Sequence, residues 1–196
     1  GRSWGPPGSP IRSYCFHASL YLRAATIGTM RSSAPDILVA VWQVIATRGI
    51  DAVSFRSVAA AADVSVGRVQ HHFPTRAGLI RAAARHMIDS ASEAFPETDA
   101  RTLLTHPFSG AEGRRSGTAV YYAFVAASAT DPEIRRTLRD ARAGVSEALA
   151  REVGKSAATR LLALAEGLTL HIHLGMLTSA AAQTLMGEAL DACRRE

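Results

Sequence analysis

VSFRSVAAAADVSVGRVQHHFPTRAGL, residues 53–79, carries two apolar sets at helical spacing with a short break between them. Phe55, Val58, Ala59 and Ala62 keep one face of a helix over 54–62. Asp63 and Val64 break the period, and Ser65 stands where a helix N-cap belongs. Val66, Val69 and Phe73 then give a second helix, over 65–73, its own apolar side. Two short helices sharing a small core of Phe55, Val58, Ala59, Val64, Val69 and Phe73 make a helix-turn-helix.

The second helix leaves Gly67, Arg68, Gln70, His71 and His72 pointing away from that core. Side chains that donate and accept hydrogen bonds, beside a glycine that lets the backbone come close, suit the major groove of DNA. The plainer alternative is a helical hairpin inside an all-α core, which periodicity alone does not exclude.

The residues around the pair add a resemblance. Gly49, Ser54, Val58-Ala59, Ala62-Asp63-Val64-Ser65-x-Gly67 and His72-Phe73-x-x-Arg76-x-x-Leu79 resemble the DNA-binding region of TetR-family transcriptional regulators. The likeness runs from Asp36 to about Met87, a quarter of the chain. Asp63 stands where the family usually has Gly, Gln70 and His72 where Tyr is frequent, and Arg76 where Lys is usual. Asp tolerates a left-handed backbone better than most residues, so the turn is kept. The exchanges at Gln70 and His72 bear on the target sequence. Arg68, Gln70 and His71 are assigned to base edges, with Val66 and Gly67 at the same surface. Ser54, Ser65, His72 and Arg76 are assigned to phosphates, Arg76 because it keeps the charge the resemblance implies there.

N-terminal to this head, residues 35–48 form one more helix, with Ile37, Leu38, Val41, Val44 and Ile45 as its stripe and Gly49 as its stop. Residues 1–30, opening GRSWGPPGSP, differ in composition and are expected to be an appended or weakly ordered leader, with Met30 as a candidate start. The head is taken as 31–80. Within residues 31–90 seven Arg face four Asp and no Glu, and the whole chain carries +5, which fits a nucleic-acid partner without proving one. Cys15 and Cys193 sit near opposite ends and match no metal spacing, so no disulfide framework and no metal site is expected, in keeping with a reducing cytoplasm. The longest apolar run, 161–177, holds Glu166, Thr169, His171 and His173 and falls short of the roughly 20 residues a membrane span needs.

C-terminal to the head, Thr75 caps a helix expected over 76–94 that leads into residues 81–196. A short helix near 98–106 and another over 114–129 follow. Asp131-Pro132-Glu133 opens a further one, and its Arg135, Arg136, Arg139 and Asp140 are taken as a solvated face. Residues 161–177 are apolar nearly all round, and 180–194 repeat the pattern. One chain cannot cover every side of such a pair, so two copies are expected to meet there in a homodimer. The run GLTLHIHLGMLTSAAAQTLMGEAL is similar to the C-terminal domain of the BetI-type branch of the same family.

A pocket is expected between the 76–94 helix and those after it, with Met87, Phe95, Phe108, Tyr121, Tyr122, Phe124 and His171 as candidate lining; each could equally be ordinary core. His171 and His173 diverge by about 200° on a helix and are poor joint metal ligands. No P-loop, dinucleotide fingerprint, HExxH or GxSxG is present, so neither catalysis nor a cofactor is expected. The sequence thus points to an all-α chain: a three-helix head that binds a palindromic DNA operator, and a helical bundle that binds an unknown small effector and dimerises. Repression relieved by the effector is the leading reading. A body that only dimerises, or an activator of the same architecture, stays open.

Overall fold

The computed structural model describes residues 33–94, 99–105, 108 and 113–195. The leader expected at 1–30 and the pocket candidate Phe95 lie outside the described residues. All regular structure within them is helical: α1 (Ala34–Arg48), a 3-10 turn (Ile50–Ala52), α2 (Phe55–Ala62), α3 (Val66–His72), α4 (Arg76–Ala94), α5 (Ala100–Thr105), α6 (Gly113–Ala127), α7 (Pro132–Val153), α8 (Lys155–His173) and α9 (Ser179–Cys193).

Ser33 opens α1, donating its backbone N–H (3.1 Å) and its hydroxyl (2.5 Å) to the Asp36 carboxylate; Gly49, at φ +82°, ends it. The expected stripe of α1 is buried, and so are Val39, Ala40 and Trp42. A helix buried this far round must be surrounded, and α1 packs against α2, α4 and α6. Trp42 explains the extra coverage: its Nε1 donates to the Ala83 carbonyl of α4 at 3.0 Å, and its ring stacks on His86.

The body is built around two neighbouring pairs, α7 with α8 and α8 with α9. Asp131 caps α7, accepting from the Glu133 and Ile134 amides at 3.0 and 3.2 Å, with Pro132 at the first position. Arg135 is exposed, as expected, and it also donates to the Ser128 and Ala129 carbonyls, which pins the turn before α7. The apolar run expected as one helix over 161–177 breaks after His173, where Gly175 (φ +74°) turns the chain into α9. α5 is tied down by Arg101, which reaches Asp191 on α9, and by Glu152, which accepts from the Ala100 amide.

Candidate nucleic-acid interface

The reading pair is held by three local devices. Ser54 Oγ accepts from the Ser57 amide at 3.1 Å and starts α2. Asp63 adopts the left-handed conformation, φ 53° and ψ 47°, which turns the chain between the helices. Ser65 Oγ accepts from the Arg68 amide at 3.2 Å and starts α3. Val69, fully buried beside Val58, Ala59 and Ala62, sets which way α3 faces, while Phe55, Val64 and Phe73 close the rim half-buried.

With Val69 inward, Val66, Gly67, Arg68, Gln70 and His71 share the exposed side of α3. Val66 is 39% exposed although apolar, and a Cβ built on Gly67 would meet nothing within 4 Å. Among the described residues nothing calls for glycine there. His72 is half-buried, edged between His71 and Phe73 at ring distances of 5.6 and 6.2 Å. Ser54 and Ser65 are exposed, but their oxygens already serve as caps.

Arg76 differs from the expectation most. Its Nε donates to the Val53 carbonyl at 2.6 Å and one Nη to the Ile50 carbonyl at 2.9 Å, so the guanidinium braces the segment between α1 and α2.

A further feature escaped the sequence reading. Arg56, Arg68 and Arg76 each lie in the first turn of a helix, and none of α2, α3 or α4 has an acid there. The helix macrodipole makes such cations unfavourable by about 0.3–1 kcal/mol each. Helices α1 and α7 carry Asp36 and Glu133 at the same place, whereas α5 and α8 open on Arg101 and Lys155 without an acid. The signal was available: Arg56 follows directly on the Ser54-Phe55 helix start. In the head all three such helices meet at one end of the chain's fold, and their arginines add to its excess of Arg over Asp.

The match with known proteins covers both halves. Residues 37–83 fit the model of bacterial regulatory proteins of the tetR family, and residues 96–195 fit that of the BetI-type transcriptional repressor C-terminal region. The chain belongs to the TetR family. It is a DNA-binding transcription regulator and not an enzyme. Among curated relatives it is 29% identical over 140 residues to the HTH-type transcriptional regulator BetI of Paraburkholderia xenovorans, covering 62% of this chain and 72% of that one. Among solved structures, a transcriptional regulator from Rhodococcus sp. Rha1 is 28% identical with a TM-score of 0.65, covering 82% of this chain and 97% of that one. The multidrug binding protein EbrR complexed with ethidium is 25% identical with a TM-score of 0.60, covering 80% and 97%.

In the regulator's body the candidate pocket residues scatter. Met87, Phe108 and Phe124 are buried in the core, Tyr121 and Tyr122 are half-buried neighbours, and His171 is exposed. His173 is exposed as well and meets the Tyr122 ring at 5.5 Å, so neither histidine is a core residue. Leu164, Leu170, Leu174, Met176 and Leu185 are large, apolar and exposed, Leu174 at 61% and Met176 at 68%. They lie on α8, on α9 and in the turn between them. Among the described residues no helix is long and apolar enough to cross a membrane.

The regulator's two halves meet along α4. Arg81 donates Nε to Asp131 at 2.8 Å and an Nη to Glu133 at 3.0 Å, which joins the head's exit helix to the cap of α7. Beside this latch opens a groove of about 410 Å³, walled by one face of α4, by Leu38 of α1 and by Glu133 of α7, and none of the six described candidate pocket residues lines it. The hydrogen bond to Asp131 holds the Arg81 guanidinium above its ordinary value. Burial alone would push the Asp131 carboxyl up; the hydrogen bonds from Arg81 and from the Ile134 and Glu133 amides outweigh it and hold it below the usual carboxylate range.

Proposed function

We propose that this regulator is a homodimeric repressor that reads a palindromic operator in the cytoplasm and releases it when a small effector binds the body. The outward face of α3 carries the reading: an exposed glycine that the fold does not need, flanked by Arg68, Gln70 and His71. In this reading Arg68 grips a guanine edge, Gln70 an adenine edge, and Val66 rests against a thymine methyl. His71 adds a further base-edge contact. Gly67 brings the α3 backbone against the duplex. Ser54, Ser65 and His72 hold phosphates at the two ends of the pair. Arg76, whose Nε and one Nη grip carbonyls, keeps its remaining Nη for a phosphate and mainly fixes the pair's pitch.

The exposed leucines and Met176 of α8 and α9 give the dimer its seam. Two-fold symmetry places two heads about one helical turn of DNA apart, roughly 34–36 Å, or a multiple of that. The complex of EbrR with ethidium supports an effector site in a body of this shape. A second reading, a body that only dimerises, is favoured by the closed packing of Met87, Phe108 and Phe124. Selection of bound duplexes from a random pool tests the proposal. The expected product is an inverted repeat; a pool that stays unenriched at low salt refutes operator reading, and an unpaired half-site refutes the dimer.

A further inference from the structure

We propose that the groove between α1, α4 and the first turn of α7 is the effector site, and that it takes a small zwitterion whose two charges stand about one helical turn apart. This rests on the effector-responsive reading above. At about 410 Å³ the groove falls within the range of small-molecule sites, roughly 300–1,000 Å³. Gly78, Arg81, Ala82, Arg85, His86 and Asp89 recur at helical spacing, so a single face of α4 supplies most of the wall.

The charges on that wall select the ligand. Arg81 is already neutralised twice, by Asp131 and Glu133. Arg85 and Asp89, four residues apart on the same face, are both exposed, and no ion pair within 4.0 Å joins either to another described residue. Arg preceding Asp is the poorer orientation for a helical pair, which fits their standing apart. A simple anion at Arg85 would face Asp89 and Glu133, and a simple cation at Asp89 would face Arg85. A molecule carrying both charges meets each wall with its complement. Leu38 and Ala82 add apolar lining, and the His86 ring lies flat against Trp42 (centroids 5.1 Å apart, planes at 16°), which fixes that wall.

The position explains the response. A ligand anion at Arg85 stands one turn from Arg81 and competes with Glu133 for its guanidinium, so occupancy loosens the latch between head and body. A ligand shifts an equilibrium only by its differential interaction with the two states, and here that difference is the displaced ion pair.

The test uses the full chain and a set of unblocked dipeptides, each beside its N-acetylated and C-amidated form, followed by calorimetry and by operator titration. Unblocked dipeptides are expected to bind at millimolar concentration and to weaken operator binding. Either block, Arg85→Ala or Asp89→Asn is expected to cut dipeptide affinity by about three- to fivefold or more, while both variants keep the ligand-free operator affinity. No binding by any dipeptide, equal binding by blocked forms, or unchanged affinity in both variants overturns the assignment. Operator binding by the ligand-free wild type is read in the same titration, so failure of the regulator reading is seen separately from failure of the groove.

Discussion

Glycine inside a helix costs about 0.5–1 kcal/mol relative to alanine, and at Gly67 no described neighbour repays it. Gly67→Ala should therefore stabilise the fold by about that amount in urea melts while weakening operator binding; unchanged operator affinity would remove Gly67 from the contact surface. Arg68→Ala should cost about 1–3 kcal/mol on the selected operator and relax preference at one base position. Equal losses on operator and scrambled duplex would place Arg68 on a phosphate. Arg76→Ala has a different expected outcome, because two of its donors grip carbonyls. Losing them should lower stability by about 1–3 kcal/mol and flatten the salt dependence of DNA binding by less than one charge. The reach of Arg76 to Ile50 and Val53, 26 and 23 residues back, is why spacing did not reveal it. The exposure of Arg68 and Gln70 was legible because a helix of known phase puts them opposite Val69.

At the level of elements, caps were the most readable features: Ser65, Thr75 and Asp131 start helices as expected, while Ser54, expected inside its helix, is the cap before it. The turn at Asp63 was readable too, through its tolerance of positive φ. Two features were not. The burial of α1 on nearly every side depends on α6 coming to it from far along the chain, and nothing in residues 34–48 encodes that approach. The partners of Asp131 were likewise invisible, since Arg81 lies 50 residues away. Because the folded Asp131 carboxyl lies below its unfolded value, its contribution to stability is present above about pH 4 and is lost as pH falls through the depressed folded value. Asp131→Asn keeps an oxygen for the cap but removes the charge facing Arg81. Thermal melts of this variant should lose less stability than wild type on acidification below about pH 4; parallel acid limbs would mean that the pair does not titrate with folding.

Across the whole molecule, an apolar surplus in the last two helices was visible in composition, but which side stays uncovered needed the packing of α8 against both α7 and α9. Leu174 and Met176, exposed on a single chain, can be changed without disturbing its core. Leu174→Asp with Met176→Asp should weaken self-association on the order of 100-fold, with sedimentation velocity showing a slower species that still melts cooperatively. An unaltered sedimentation profile would move the seam elsewhere. The proposed pocket was the least legible part: apolar residues in a helical body line cavities and fill cores with the same periodicity, and only the packing separates Met87 or Phe124 in the core from Arg85 on an open groove. The arginines at the starts of α2, α3 and α4 carry one more implication. Their repulsion with the helix ends is relieved when a polyanion arrives, so the duplex acts as a structural cofactor of the domain that recognises it. Amide protons in these three helices should exchange faster in free protein than on DNA by more than surface shielding accounts for, making the unoccupied regulator the softer, more easily degraded form.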